Sequence, residues 1–412
     1  MQPQTLRRSS LTYISFALVI VGVPLGMYFN YLFPVIKWSP IFMTLSVLFM
    51  VSYKNLVLFK TPSLNKILIS IFLLQLLMLF YGILSDRMTL QLLSFHLYII
   101  CLIIALASRP PNINFNNIIY YTFIISGICS ILGALFLWQG LVVGEKASIL
   151  KQNIDDYALD PFTVGYGAAT NFICVLFCLN NPNKSKSLKL FFLFFLILDI
   201  YICFATEKRN TVAYILAAFL LFLFKKSPES QGPKTHVFKI LALSSIIIAI
   251  LYFSFDPIKN TVDNFFFRFI GGIGNIIGVS KIEDESTLLR YEANLWFLSN
   301  INNFSLFNYI FGKGYMTRWL DNNYFQIILD MGFIGFFWFL YLIVIFPIKF
   351  IFKKNGISFV AIMSLFCLGT ILSSFNGGHP YMYHFYTPIV LLAFASMVNK
   401  HNHIQSNKID HK

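Results

Sequence analysis

Phe311-Gly312-Lys313-Gly314-Tyr315 and then Asp321-Asn322-Asn323-Tyr324-Phe325-Gln326 close a long polar and aromatic segment that begins at Asp256. An apolar run, Ile327 to Phe346, follows at once and carries Gly332 and Gly335. A run of ~20 apolar residues is what a helix needs to cross a bilayer. The stretch therefore marks the point where a large loop re-enters a membrane. Outside the loop the chain is hydrophobic helix joined by mostly short connections.

Composition agrees. Hydrophobic residues make up 57% of the 412, and charged residues only 12%. A soluble domain has about 25% charged residues. The mean hydropathy is +0.71. The expected fold is an all-α polytopic membrane protein with about 12 transmembrane helices. Helices one to nine fall in 1–255, the large loop in 256–323, and the last three helices with a tail in 324–412. Arg7-Arg8 before a long apolar run reads as the start of a retained first helix.

The net charge of +14 does not point to nucleic acid. Lys and Arg are enriched in the cytoplasmic loops of membrane proteins. With alternating spans, Arg7, Arg8, Lys54, Lys60, Lys184, Lys225, Lys226, Lys353, Lys354 and Lys400 fall on one side, with few acids. That side is expected to be cytoplasmic and to hold both termini. The large loop then lies on the opposite face. All six cysteines fall in apolar spans, so neither a disulfide framework nor a zinc site is expected.

Phe265, Phe266, Phe267, Trp296, Phe297, Phe304, Phe311 and Trp319 give the loop rings that need an apolar resting place. Ser286–Asn300 reads as an amphipathic helix, with Leu288, Tyr291, Leu295 and Leu298 on its apolar face.

Charged groups in or beside apolar spans are the candidates for chemistry. Glu207-Lys208-Arg209 is a tight turn between two spans, either a solvated turn or a grip for phosphate. Guanidinium suits phosphate because its planar fork matches the oxygens and stays charged. Arg290, in the loop helix beside Glu292, is the second such group, or else a surface ion pair. Arg268 and Arg318 are weaker candidates for the same task. Asp330, inside an apolar span, reads as a partner for an arginine or the lining of a polar cavity. Asp199 and His96 read as structural. His379, after Gly377-Gly378, could act as acid or base. There is no Walker A motif, dinucleotide fingerprint, zinc-protease motif or nucleophile elbow, so ATP hydrolysis and redox chemistry have no support in the sequence.

Three of these stretches resemble signatures of the O-antigen polymerase/ligase superfamily, multispanning glycosyltransferases of bacterial surface polysaccharide assembly. Thr206-Glu207-Lys208-Arg209 resembles the family's Thr-x-Ser-Arg turn, with its arginine at Arg209. Ser286 to Trp296, followed by Phe311-Gly312-Lys313-Gly314, resembles the arginine-bearing loop helix before a Gly-x-Gly, with its arginine at Arg290. Asp321-Asn322-Asn323-Tyr324-Phe325-Gln326 with Gly332 and Gly335 resembles His-Asn-x-Tyr-Leu-Gln…Gly-x-x-Gly. The histidine of that pattern is Asp321 here, which favours a polymerase over a ligase.

The resemblance implies transfer of a growing chain from one undecaprenyl diphosphate to the end sugar of a repeat unit on another. The setting would be the periplasmic face of the bacterial inner membrane. Arg209 and Arg290 would stabilise the departing diphosphate, and Asp321 would serve as base or orient the acceptor. Lys208, Arg268, Glu292, Arg318, Asn322 and His379 would contact substrate. No metal or cofactor is expected. The expected partners are the lipid-linked oligosaccharide, membrane lipid and a chain-length regulator. A ligase acting on lipid A-core is the alternative reading, and a polysaccharide-lipid flippase a further one.

Overall fold

A computed structural model describes residues 3–52, 66–108, 113–143, 161–179, 185–206, 209–224, 285–320, 322–352, 359–376 and 379–409, with scattered positions between 246 and 266. Every regular element among the described residues is helical. In chain order these are α1 (Pro3–Leu32), α2 (Trp38–Met50), α3 (Lys66–Leu84), α4 (Leu90–Ala107), α5 (Phe115–Val143), α6 (Pro161–Leu179), α7 (Lys186–Ala205) and α8 (Arg209–Phe224). Then come α9 (Glu285–Ile301), α10 (Leu306–Phe311), α11 (Asn323–Leu340), a π-helical turn (Tyr341–Ile345), α12 (Phe346–Ile351), α13 (Phe359–Asn376) and α14 (Tyr383–Ile409).

Among the described residues, six helical stretches are long and apolar enough to cross a membrane: Ser10–Leu32, Lys66–Leu84, Leu90–Ala107, Phe115–Leu137, Ser187–Ala205 and Asn323–Ile351. Five shorter apolar helices accompany them. The chain is thus an α-helical membrane protein. The ninth expected span, ending at Phe255, lies largely outside the described residues.

The chain divides into two compact units. The first comprises Met1–Ser46, Phe115–Ile282 and Lys354–Ser358. In it α5 packs on α1, α6 and α7, and α6 on α8. Gly26 lets the start of α2 close on α1, because a side chain there would run into the backbone of Ser39. Asp199 is fully buried between helices. It accepts from Ser130 Oγ at 2.6 Å and from the Asn171 amide at 2.8 Å, and Asn171 in turn accepts from Ser126 at 2.9 Å. A carboxyl satisfied by neutral donors in this way locks three helices in register.

The second unit comprises Val47–Asn114, Glu283–Lys353 and Phe359–Lys412. Here α14 packs on α3, α4 and α13, and α11 on α9, α10 and α13. The early helices α3 and α4 therefore share a core with the late loop.

The loop helix forms as expected, but with the other face inward. Tyr291, Leu295 and Leu298 are about half exposed, whereas Phe297 is buried. Phe297 stacks on Phe325 of α11 with ring centroids 4.6 Å apart and joins Phe304, Leu320, Ile328 and Leu329, flanked by Ala293 and Trp296. The aromatic pair has more area to bury than the leucines, so it takes the core side. Counting apolar positions at helical spacing weighed all of them equally and missed this.

Candidate functional site

The site is built where α11 begins. Asn322 caps it, its side-chain oxygen accepting from the backbone N–H of Tyr324 at 3.0 Å and Phe325 at 3.4 Å. One turn on, Gln326 is fully buried and turned back toward the loop. Its Oε1 accepts from Leu320 N–H at 2.7 Å, and its amide donates to the Arg318 carbonyl at 3.0 Å and to Asp330 at 2.8 Å. Gln326 and Asp330 are four residues apart and so share one helix face.

Asp330 is buried and gathers donors from several directions. Tyr381 donates its hydroxyl at 2.5 Å, and the backbone N–H groups of Met316 and Thr317 point at the same carboxyl. No arginine is among these contacts, so of the two readings of Asp330, arginine partner or lining of a polar cavity, the first is not seen. The carboxyl instead receives the turn of the loop, whose backbone donors would otherwise be buried without partners.

Two glycines make that turn possible. Gly312, after α10, has φ 82 and ψ −179, and Gly332 breaks α11 at φ 66 and ψ −166. This region of backbone space is essentially open to glycine alone. The two are packed reciprocally: a side chain on Gly312 would strike Asp330 and Met331, and one on Gly332 would strike Ile310 and Phe311. Lys313 N–H donates to the Leu329 carbonyl at 2.6 Å, which the break leaves available. Irregular backbone at such depth is tolerated when protein surrounds it.

Tyr315 of the loop is fully buried. Its hydroxyl lies 3.1 Å from His96 Nε2, and His96 Nδ1 lies 2.7 Å from Gln75 Oε1. An amide oxygen only accepts, so His96 carries its proton on Nδ1 and Nε2 accepts from Tyr315. The rings of Tyr315 and Tyr381 lie 4.2 Å apart. His96 is thus structural, and it anchors the loop. Burial pushes the Tyr315 and Tyr381 hydroxyls above the usual phenol range, so both stay protonated donors.

At the rim, Arg318 is exposed and its guanidinium lies 4.1 Å from the Trp296 ring of α9. That helix also carries Arg290, which is half-buried, and Glu292, which is exposed. Lys313 sits 4.5 Å over Phe304. Trp319 stands edge-on to His379, with centroids 4.8 Å apart. His379 is buried, and burial lowers its pKa from 6.5 to about 4. Its Nδ1 accepts from Tyr381 N–H at 3.3 Å, which leaves the proton on Nε2. At neutral pH it is a hydrogen-bond donor and a weak base.

Of the residues expected at the site, the second unit holds Arg290, Glu292, Arg318, Asn322 and His379. Trp296 joins Arg318 to the helix of Arg290 and Glu292. Gln326 ties the Arg318 carbonyl to the α11 start that Asn322 caps. The Trp319 ring joins His379 to the same loop. Arg209 opens α8 in the first unit, and its side chain is not among those described. Lys208, Arg268 and Asp321 lie outside the described residues. The sequence reading did not find the roles of Gln326, Tyr315 and Tyr381, nor the contact of Arg87 Nη1 with the Met316 carbonyl at 2.8 Å. The i, i+4 pair of Gln326 and Asp330 in an apolar run was the available signal. Comparison with protein-family models, with curated proteins and with solved structures finds no match for the chain.

Proposed function

We propose that the protein is a membrane glycosyltransferase that polymerises undecaprenyl-diphosphate-linked oligosaccharide repeat units on the periplasmic face of the bacterial inner membrane. The observation that carries this reading is the loop 312–320, held by Gln326 and Asp330 at the mouth of α11 with Arg318 on its exposed side. In this reading the chain has twelve spans and cytoplasmic termini, and the loop 256–323 is periplasmic.

The acceptor sugar's hydroxyl attacks the anomeric carbon of the donor chain. The bond from that carbon to the diphosphate oxygen breaks, and undecaprenyl diphosphate leaves with the bonding electrons. The hydroxyl proton passes to a base, the role assigned to Asp321. Arginines at the rim stabilise the charge that develops on the leaving diphosphate. The stacking of Arg318 on Trp296 supports this use, because it fixes the plane of the guanidinium while its edge keeps donors.

The test is the lipopolysaccharide banding pattern after deletion of the gene and complementation with wild type or Arg290→Ala. Collapse of the ladder to core plus a single repeat unit, restored by wild type and not by Arg290→Ala, supports the polymerase. Loss of even the single unit, with lipid-linked polymer accumulating, identifies a ligase instead. An unchanged ladder rejects both.

A further inference from the structure

Arg87 belongs to the turn between α3 and α4, far from the loop in sequence. The turn is tight: Arg87 N–H donates to the Gly82 carbonyl at 3.3 Å, and Asp86 has a φ of 54. Gly82 leaves the turn and the loop no room for another side chain, since a Cβ there would meet Met88 and, at 3.4 Å, the ring of Tyr315. Arg87 then reaches over and donates from Nη1 to the Met316 carbonyl at 2.8 Å.

Met316 is thereby held at both ends. Its backbone N–H points to the buried carboxyl of Asp330, and its carbonyl accepts from the exposed guanidinium of Arg87. The carboxyl of Asp330 and the guanidinium of Arg87 thus hold the two polar groups of one residue, and Met316 has a φ of 50 there. Guanidinium has five N–H donors, and this contact uses one. The others stay on the exposed side of a turn that also displays Arg318 and, at its start, Lys313.

From this placement we infer that Arg87, together with Arg318, grips the diphosphate of the lipid-linked substrate, as distinct from the single phosphates of bulk lipid. The inference rests on the reading above and names, for that site, a phosphate-binding residue from the first third of the chain. A diphosphate offers several oxygens, enough for two planar forks, with charge-assisted hydrogen bonds about twice as strong as neutral ones. Lys313 adds a third positive charge on the same ordered segment. Holding Arg87 on a backbone carbonyl removes part of the ordering cost when the ligand arrives. Asp86, the adjacent acid, is exposed and lies on the same turn; its charge opposes anion binding, so Asp86→Asn is expected to tighten it modestly.

The experiment measures equilibrium binding of undecaprenyl diphosphate to the full-length protein in nanodiscs of neutral phosphatidylcholine. Inorganic diphosphate serves as competitor, and nanodiscs containing phosphatidylglycerol form a parallel series. Wild type is expected to bind and to lose affinity as salt rises. Arg87→Gln keeps an amide donor for the Met316 carbonyl but loses the charge. It is expected to weaken binding on the order of tenfold or more, the loss of a hydrogen bond to a charged group. Arg87→Lys should fall between the two, and thermal unfolding of all three should coincide.

Equal affinity of wild type and Arg87→Gln overturns the inference and leaves the polymerase reading standing. It would mean that Arg87 only braces the turn. Failure of wild type itself to bind overturns both. If phosphatidylglycerol erases the difference between wild type and Arg87→Gln, the ligand of Arg87 is the bulk bilayer phosphate and the inference fails. If inorganic diphosphate displaces the lipid from wild type with comparable affinity, the site reads the phosphates alone; this supports the inference.

Discussion

Gly312 and Gly332 lie backbone against backbone, each filling the space a side chain on the other would need. One ends the short helix of the loop, and the other breaks the helix that returns to the membrane. Both hold conformations that only glycine adopts without strain. Gly332→Ala is expected to destabilise the protein by roughly 1–3 kcal/mol from strain alone, with collision against Ile310 and Phe311 added. Gly314, at φ 111, has nothing near its missing side chain. Gly314→Ala therefore carries only the strain and should cost less. Thermal unfolding of the three proteins in detergent gives the order.

Asp330→Leu removes the acceptor shared by Tyr381, Gln326 and the N–H groups of Met316 and Thr317. Each buried donor left without a partner costs about 1–3 kcal/mol. The loop should detach while the helices stay inserted. Protease cutting after Arg318, absent in wild type and present in Asp330→Leu reconstituted in liposomes, would show it. Equal resistance in both would mean that other contacts suffice to hold the loop.

Arg318→Ala loses the stack on Trp296, worth about 0.5–1 kcal/mol at an exposed site. Stability should barely change, whereas polymer length on the lipopolysaccharide gel should fall sharply. A variant with wild-type ladders would remove Arg318 from the site.

His379 gives stability a pH dependence. Its pKa is about 4 when folded and 6.5 in the exposed chain. Between those values the unfolded chain binds the extra proton, so the contribution is full above 6.5 and is lost as pH falls toward 4. The loss amounts to roughly 3 kcal/mol at the acid end. Unfolding temperatures at pH 7.5 and pH 4.5 should converge more in His379→Asn than in wild type. Parallel shifts would place the acid sensitivity elsewhere.

The class of the protein was legible because membrane helices declare themselves through long apolar runs. The re-entry point was legible too, because a long polar segment gives way near Tyr324 to an apolar run of spanning length. The orientation of α9 was not, since spacing alone does not say that Phe297 outweighs Leu295 and Leu298. Asp330 was visible as a charge out of place, but its partners are a tyrosine from the turn before α14 and backbone groups that leave no mark in a sequence. Arg87 was passed over because a lone arginine in a five-residue turn looks like any surface charge until Met316 is seen beside it.

The contact between Asp330 and Tyr381 also has a bearing on assembly. The chain is made from its N-terminus, so Arg87 and His96 are in place before the loop exists, and Tyr381 arrives only after α13 has been made. Until then the carboxyl lacks its hydroxyl donor and Tyr315 lacks the ring it stacks on. The loop of a chain cut short before α14 is therefore only half fastened, and it locks when α13 and α14 are in place.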